Sequence, residues 1–101
     1  MPVFFVVLVH IPDPENRALY DAYVRKVKSI VEEFGGRYLC RSEKITRVAG
    51  DFCPDRVIII EFPSREILDQ CFHSAAYREI AGFRENSVQT SAFIIEEPNP
   101  F

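Results

Sequence analysis

The heptapeptide Arg56–Phe62, RVIIIEF, decides the fold. Four consecutive β-branched residues lie at its centre, a pattern that favours a β-strand. Side chains alternate between the two faces of a strand, so one face is wholly apolar and the other also carries a carboxylate. The first face consists of Ile58, Ile60 and Phe62, and the second of Val57, Ile59 and Glu61. Both faces are largely apolar, which predicts a sheet that is covered on both sides.

Three further strands are predicted around this one. They cover Val3–His10, a segment from Arg37 to about Val48, and residues 90–97, TSAFIIEE. The segment from Arg37 contains the polar stretch CRSEKITR, so we expect an edge strand or a bend there. Residues 98–101, PNPF, are expected to form a tail.

Two helical regions separate the strands. In the first, apolar residues recur at intervals of one and three between Asp13, an N-cap followed by Pro14, and Gly35, which with its glycine neighbour ends the helix. The second follows Pro63 and has two capping serines, Ser64 and Ser74. We therefore expect the second helix to break and restart as AAYREIAGFR.

The order β-α-β-β-α-β is typical of the α+β ferredoxin-like fold, a four-stranded antiparallel sheet with two helices on one face. The length of 101 residues suits one domain over residues 1–101.

The second face of this sheet has no helix to cover it. Four strands present about 350–400 Å² of sheet, and at about 25 cal/mol per Å² that is on the order of 9 kcal/mol of unburied apolar surface. Strand one supplies either Phe4, Val6 and Leu8 or Val3, Phe5, Val7 and Val9, and strand four either Phe93 and Ile95 or Ala92 and Ile94. We therefore predict a homodimer packed sheet to sheet with two-fold symmetry.

Composition and charge exclude several classes of function. A net charge of −3 gives no general attraction to nucleic acid or anionic lipid, and the seven-residue apolar run Val3–Val9 is too short for a membrane span. The three cysteines are odd in number and form no Cys-x-x-Cys motif. We expect a cytoplasmic protein with no membrane or nucleic-acid partner. No nucleotide, flavin or metal motif is present, so no cofactor and no metal are expected.

The order of motifs resembles a family of small bacterial proteins, domain of unknown function 1330, in the dimeric α/β-barrel superfamily. The matching positions are Tyr20, Tyr23, Phe34–Leu39, Arg41, Gly50-Asp51, Arg56–Ser64, Ser74, Tyr77 and Arg84. The resemblance implies the ferredoxin-like fold and the sheet-to-sheet dimer. It implies no single activity, because the related superfamily members include cofactor-free monooxygenases, lactone isomerases and haem-dependent enzymes.

The chain departs from the family pattern at two places. Cys71-Phe72 replaces a usual Trp-Tyr pair, and Phe52 replaces a usual tryptophan. Both changes alter the lining of any pocket.

Glu61 and His10 are the candidate catalytic acids or bases. Glu61 is expected near the end of its strand on the dimer side, where a carboxylate needs a partner or a proton. Arg41, on the neighbouring strand, is the expected partner, and the alternative is a structural ion pair that fixes the dimer register. His10 ends the first strand, and its alternative role is that of a solvated strand-end side chain.

Arg84, Tyr23, Tyr77 and Arg41 are the candidate ligand-binding residues. Arg84 lies near the end of the second helical region, where it could hold a carboxylate or enolate bidentately, or else stack on an aromatic ring or pair with Glu61. Tyr23 and Tyr77 lie on apolar helix faces, a position typical of core tyrosines whose hydroxyl groups lie near a rim.

Two functions follow from these residues. The first is a homodimer that binds a small organic molecule in a cleft between the sheet and the helices, without catalysis. The alternative is a cofactor-independent monooxygenase or isomerase that acts on an aromatic or lactone-like substrate. In that case Glu61 or His10 would transfer protons, and Arg41 and Arg84 would stabilise an oxyanion.

Overall fold

A computed structural model describes residues 1–99 and has the predicted fold. Its elements are β1 (Val3–His10), a 3-10 turn (Pro14–Asn16), α1 (Arg17–Glu33), β2 (Arg37–Ser42), β3 (Arg56–Phe62), α2 (Arg65–Phe72), α3 (Ala75–Glu85) and β4 (Gln89–Ile95). The four strands pair antiparallel in the order β2-β3-β1-β4. The α+β ferredoxin-like prediction is confirmed. Of the predicted tail, the last two residues lie outside the described part of the chain.

The predicted helix caps are present. The Asp13 carboxylate accepts a hydrogen bond from the Glu15 amide at 2.9 Å, and Ser64 and Ser74 cap α2 and α3 at 3.2 Å each. The α-helix itself begins at Arg17, because the first turn after Asp13 is a 3-10 turn. Gly35 ends α1 with a φ of 82°, which favours glycine.

Two predicted strand limits are wrong. β2 ends at Ser42 rather than near Val48, because the Ser42 hydroxyl accepts a hydrogen bond from the Lys44 amide at 3.1 Å and turns the chain away from the sheet. β4 covers Gln89–Ile95 rather than residues 90–97. The predicted edge position of the polar strand is correct, since β2 is the outermost strand on its side.

The register assigns the apolar residues to two faces. The covered face lies under the helices and includes Val3, Phe5, Val7 and Val9 of β1, Ile58, Ile60 and Phe62 of β3, and Thr90, Ala92 and Ile94 of β4. The open face includes Phe4, Val6 and Leu8 of β1, Val57, Ile59 and Glu61 of β3, and Phe93 and Ile95 of β4. Phe93 is 48% exposed, so apolar surface on the open face is in contact with solvent in the single subunit.

Candidate functional site

A cavity of about 40 Å³ lies on the covered face, between α1 and the two central strands. Its walls are apolar side chains from the sheet, α1 and α2, together with three tyrosines, one threonine and one arginine. These five residues are Tyr20, Tyr23, Tyr38, Thr90 and Arg84. Among residues 1–99, no aspartate, glutamate or histidine lines this cavity. Its one charged wall residue is therefore a cation.

The volume limits what the cavity can hold. An engineered cavity of about 150 Å³ binds benzene, whereas about 10–15 Å³ is enough for one water molecule. At about 40 Å³, this cavity accepts a group of a few heavy atoms, and an aromatic ring would require the walls to move.

Tyr23, Tyr77, Arg84 and Thr90 form a polar cluster at one side of the cavity. The hydroxyl oxygens of Tyr23 and Tyr77 lie 2.9 Å apart, and Arg84 donates a hydrogen bond from Nη1 to the Thr90 hydroxyl at 2.6 Å. Tyr77 and Arg84 lie two turns apart on one side of α3, since seven residues are close to two helical turns. The cluster thus joins α1, α3 and β4.

The charge of Arg84 is only weakly compensated. Its nearest carboxylate is that of Glu85, 3.7 Å from Nη2 and largely exposed to solvent. Burial opposes the charge of Arg84, but the adjacent Tyr77, Tyr23 and Glu85 side chains together outweigh this effect and raise its pKa. Burial, followed by the neighbouring Tyr77, raises the pKa of Tyr23 well above its usual range. At neutral pH the cluster therefore presents a protonated hydroxyl beside a fixed positive charge.

Tyr20 and Arg56 form a second polar corner near the start of α1. Tyr20 is 1% exposed, and the guanidinium carbon of Arg56 lies 5.9 Å from the centre of its ring. Within the described residues, the Tyr20 hydroxyl and the Arg56 Nε are buried without any hydrogen-bond partner. Of these two residues, Tyr20 lines the cavity and Arg56 does not.

A salt bridge borders this second polar corner without satisfying it. The Glu43 carboxylate accepts two hydrogen bonds from Arg17, at 2.7 and 2.8 Å, and a longer one of 3.4 Å from Arg56 Nη1. The Arg17 guanidinium lowers the pKa of Glu43. The carboxylate is thus occupied by other donors, and neither Arg56 Nε nor the Tyr20 hydroxyl is bonded to it.

Three of the predicted site residues come together and three do not. Tyr23, Tyr77 and Arg84 meet in the polar cluster. Arg41 lies outside the cavity, where its guanidinium stacks on the ring of Tyr38 at 4.7 Å.

The predicted Arg41–Glu61 pair is wrong. Glu61 pairs instead with Arg37 at 3.0 Å on the open face. Arg37 is the residue opposite Glu61 in the sheet, and a bulge between Tyr38 and Cys40 inserts Leu39 and reverses the alternation of the side chains that follow it. Arg41 consequently lies opposite Ile58, on the covered face.

His10 also lies away from the cavity. Its Nδ1 is 3.0 Å from the Asp55 carboxylate, which also accepts a hydrogen bond from the Ile11 amide at 2.7 Å. Asp55 thereby fastens the end of β1 to the start of β3. Neither His10 nor Glu61 is in position to transfer a proton within the cavity.

Sequence reasoning gave no role to four residues of the site, Tyr20, Tyr38, Arg56 and Thr90. Tyr20 had a readable signal, because it precedes Tyr23 by three residues on the same side of a helix. Thr90 and Arg56 had no such signal. Their positions opposite Val9 depend on strand register, which is a long-range property of the sheet.

The geometry defines a ferredoxin-like subunit with an apolar, cation-bearing cavity between sheet and helices. The chain belongs to the family described as domain of unknown function (DUF1330), whose pattern matches residues 2–98. No curated protein sequence matches it significantly. None of the described helices is long and apolar enough to cross a membrane.

Solved structures with similar folds include proteins of unknown function and an oxygenase. RPA0582 from Rhodopseudomonas palustris has a TM-score of 0.80 at 23% identity, covering 98% of this chain and 84% of that one. A dimeric ferredoxin-like protein of unknown function from Jannaschia sp. CCS1 has a TM-score of 0.74 at 8% identity, covering 95% and 99%. SnoaB, a cofactor-independent oxygenase from Streptomyces nogalater, has a TM-score of 0.71 at 10% identity, covering 97% and 94%. At these identities the likeness shows the fold alone.

Proposed function

We propose that the protein is a homodimer that binds a small organic molecule in the covered-face cavity of each subunit. One observation carries the proposal: the cavity is mostly apolar, and among the described residues its single charged wall residue is Arg84, held beside the Tyr23 and Tyr77 hydroxyl groups. Binding sites commonly combine mostly apolar walls with a few polar groups that fix the orientation of the ligand.

The polar cluster favours an oxygen anion over a cation. Arg84 offers N–H donors and a positive charge, and within residues 1–99 its only near carboxylate is the exposed one of Glu85. A carboxylate or an enolate would accept hydrogen bonds from Arg84 and from the Tyr23 hydroxyl while its carbon atoms contact the apolar walls. The small volume supports a ligand of a few heavy atoms.

The open face supports the homodimer. It presents Phe93 and Ile95 to solvent beside Val6 and Ile59, and a flat apolar sheet of this kind commonly packs against a second sheet. The Jannaschia neighbour is described as dimeric, which is consistent with a second copy of this chain as the occupant. Two-fold packing would bury the same face of both subunits.

A cofactor-independent monooxygenase or isomerase is our second candidate. It is supported by the cation and neutral hydroxyl of the polar cluster, which would stabilise an oxyanion formed on a substrate. The fold of SnoaB agrees with this candidate. Binding remains the first choice, because His10 and Glu61 lie away from the cavity and an aromatic ring exceeds its present volume.

Replacement of Arg84 tests the binding function. We expect the tyrosine signals of the wild-type protein to shift in an NMR titration with two- to four-carbon carboxylic acids. Arg84→Met should weaken binding about 10- to 100-fold, since a hydrogen bond to a charged group contributes about 1.5–3 kcal/mol.

Arg78→Met is the matched control, because Arg78 is an exposed residue of the same helix and does not line the cavity. It should bind the acids as the wild type does. Binding of the acids by Arg84→Met with unchanged affinity, or no binding by the wild type, would contradict the proposal.

A further inference from the structure

The loop between β2 and β3, residues 43–55, carries two apolar side chains that are largely in solvent in the single subunit. Val48 is 95% exposed and Phe52 67% exposed, so both are more exposed than Phe93 of the open face. We infer that this loop is a second contact with the partner subunit of the homodimer, with Phe52 as its apolar anchor. The inference rests on the proposed function, because it extends the dimer interface beyond the open face. The occupant of this surface is a second copy of the chain.

The loop lies on the open-face side of the sheet. Residues 51–54 form one wall of a groove, and the other wall consists of residues 8–10 of β1 and residues 89–91 of β4. In each strand segment the two outer residues belong to the open face, because side chains alternate along a strand and only the middle residue faces the helices. A second sheet packed on the open face would therefore meet the loop at its margin.

Hydrogen bonds hold the end of the loop against β1. The Asp55 amide donates to the Val9 carbonyl at 2.8 Å, and the Asp55 carboxylate accepts from the Ile11 amide at 2.7 Å. Within the loop, Arg47 Nη1 donates a longer hydrogen bond of 3.4 Å to the Asp51 carbonyl. A segment that is held in place before association loses less conformational freedom when it binds. The loop is therefore suited to a protein contact.

The area of the open face also favours a further contact. A specific interface commonly buries about 600–1,000 Å² of each partner, whereas four strands present about 350–400 Å² of sheet in projection. Side chains that project from the sheet enlarge the second figure, but the sheet alone stays at the small end of stable interfaces. Two loops related by the two-fold axis would each add a phenylalanine, and aromatic residues are enriched in protein interfaces.

Truncation of Phe52 tests this inference. Phe52→Ala should raise the Kd of the dimer about 100-fold, because about tenfold is lost at each of two symmetric contacts. Sedimentation equilibrium measures the Kd. Leu19→Ala is the matched control, since Leu19 is exposed on α1, on the other side of the sheet from the open face, and it should leave the Kd unchanged.

The stability of the single subunit provides a second measurement. In a protein made monomeric by Phe93→Asp, Phe52→Ala should leave the Tm unchanged, because the Phe52 side chain is largely exposed there. A lower Tm would mean that Phe52 packs on its own subunit, which would contradict the inference.

A photoreactive side chain at the same position gives a direct readout of proximity. Phe52 replaced by p-benzoylphenylalanine should yield a covalent dimer on irradiation, whereas the same replacement of Leu19 should not. Cross-links from position 52 that are confined to its own chain would count against the loop as a contact.

The outcomes separate this inference from the proposed function. If Phe93→Asp dissociates the wild-type dimer but Phe52→Ala keeps the wild-type Kd, the inference is wrong and the open-face dimer stands. If the wild type is a monomer at micromolar concentration, both the dimer and the inference are wrong. If Leu19→Ala dissociates as Phe52→Ala does, the loss is not specific to the loop and the inference is again wrong.

Discussion

The two faces of the sheet share a backbone and nearly the same number of apolar residues, yet they differ in how their polar groups are placed. On the covered face the polar groups are few and belong to residues that line a cavity, as with Arg84 and Tyr20. On the open face the charged pair Arg37–Glu61 lies at the margin, and the centre is apolar. Apolar walls with a few polar groups are typical of a ligand cavity, whereas an apolar centre with a charged margin is typical of a protein interface.

A charged residue introduced on the open face gives the strongest test of whether that face is a protein interface. Phe93→Asp should weaken the proposed dimer about 10³-fold, because loss of an interface anchor costs about 2 kcal/mol in each subunit and the two-fold symmetry doubles it. Phe93 is 48% exposed in the single subunit, so the substitution should leave the fold intact. Sedimentation equilibrium measures the change.

Leu19→Asp is the control for this substitution. Leu19 is 40% exposed but belongs to α1, on the other side of the sheet from the open face. It should leave the dimer unchanged. A wild-type protein that is already a monomer at micromolar concentration, or a Leu19→Asp variant that dissociates like Phe93→Asp, would show that the open face is not the interface.

The buried thiol of Cys71, in α2, tests how tightly the helices pack on the covered face. Burial raises the pKa of Cys71 to about 11 from its usual 9.0. Between these values the unfolded chain releases a proton that the folded chain keeps, so the free energy of unfolding should fall as the pH rises from about 9 to 11. The part due to Cys71 is about 1–2 kcal/mol.

Urea unfolding of the wild type and of Cys71→Ala, at pH 8, 10 and 11, measures the contribution of Cys71 to the free energy of unfolding. The comparison concerns slopes with pH rather than absolute stabilities, because the alanine also leaves a small cavity. The two proteins should differ by a constant amount up to about pH 9, and the difference should then shrink. Parallel curves up to pH 11 would mean that the thiol is in contact with water.

The elements that form the covered face could be predicted well from the sequence, whereas the side-chain positions in the edge strand β2 could not. The alternation in Arg56–Phe62, the stripe of α1 and the serine caps are local patterns, and each fixed an element correctly. The position of Arg41 depends on a bulge at Leu39, which has no sequence signal in this strand. One extra residue placed Arg41 on the other face, and the strand register made Arg37 the partner of Glu61.

The candidate site was predictable only in part for a related reason. Tyr23, Tyr77 and Arg84 were found because each lies on the apolar side of a helix, and such sides face the sheet. Arg56 and Thr90 are polar residues at strand starts, where a sequence pattern is equally typical of solvent exposure. Their inward direction follows from pairing with Val9, which is a long-range property of the sheet.

The smallest predicted effect concerns the Arg37–Glu61 ion pair at the margin of the open face. Arg37 is 71% exposed and Glu61 28% exposed in the single subunit, and an ion pair in water contributes about 0–1 kcal/mol. Arg37→Ala in the monomeric Phe93→Asp background should therefore change the free energy of unfolding by about 0.5 kcal/mol or less. In the wild-type dimer the same change should be larger, because Glu61 would be partly desolvated without its partner. Equal effects in both backgrounds, measured by urea unfolding, would place the pair outside the dimer interface and confine the sheet-to-sheet part of that interface to the apolar centre of the open face.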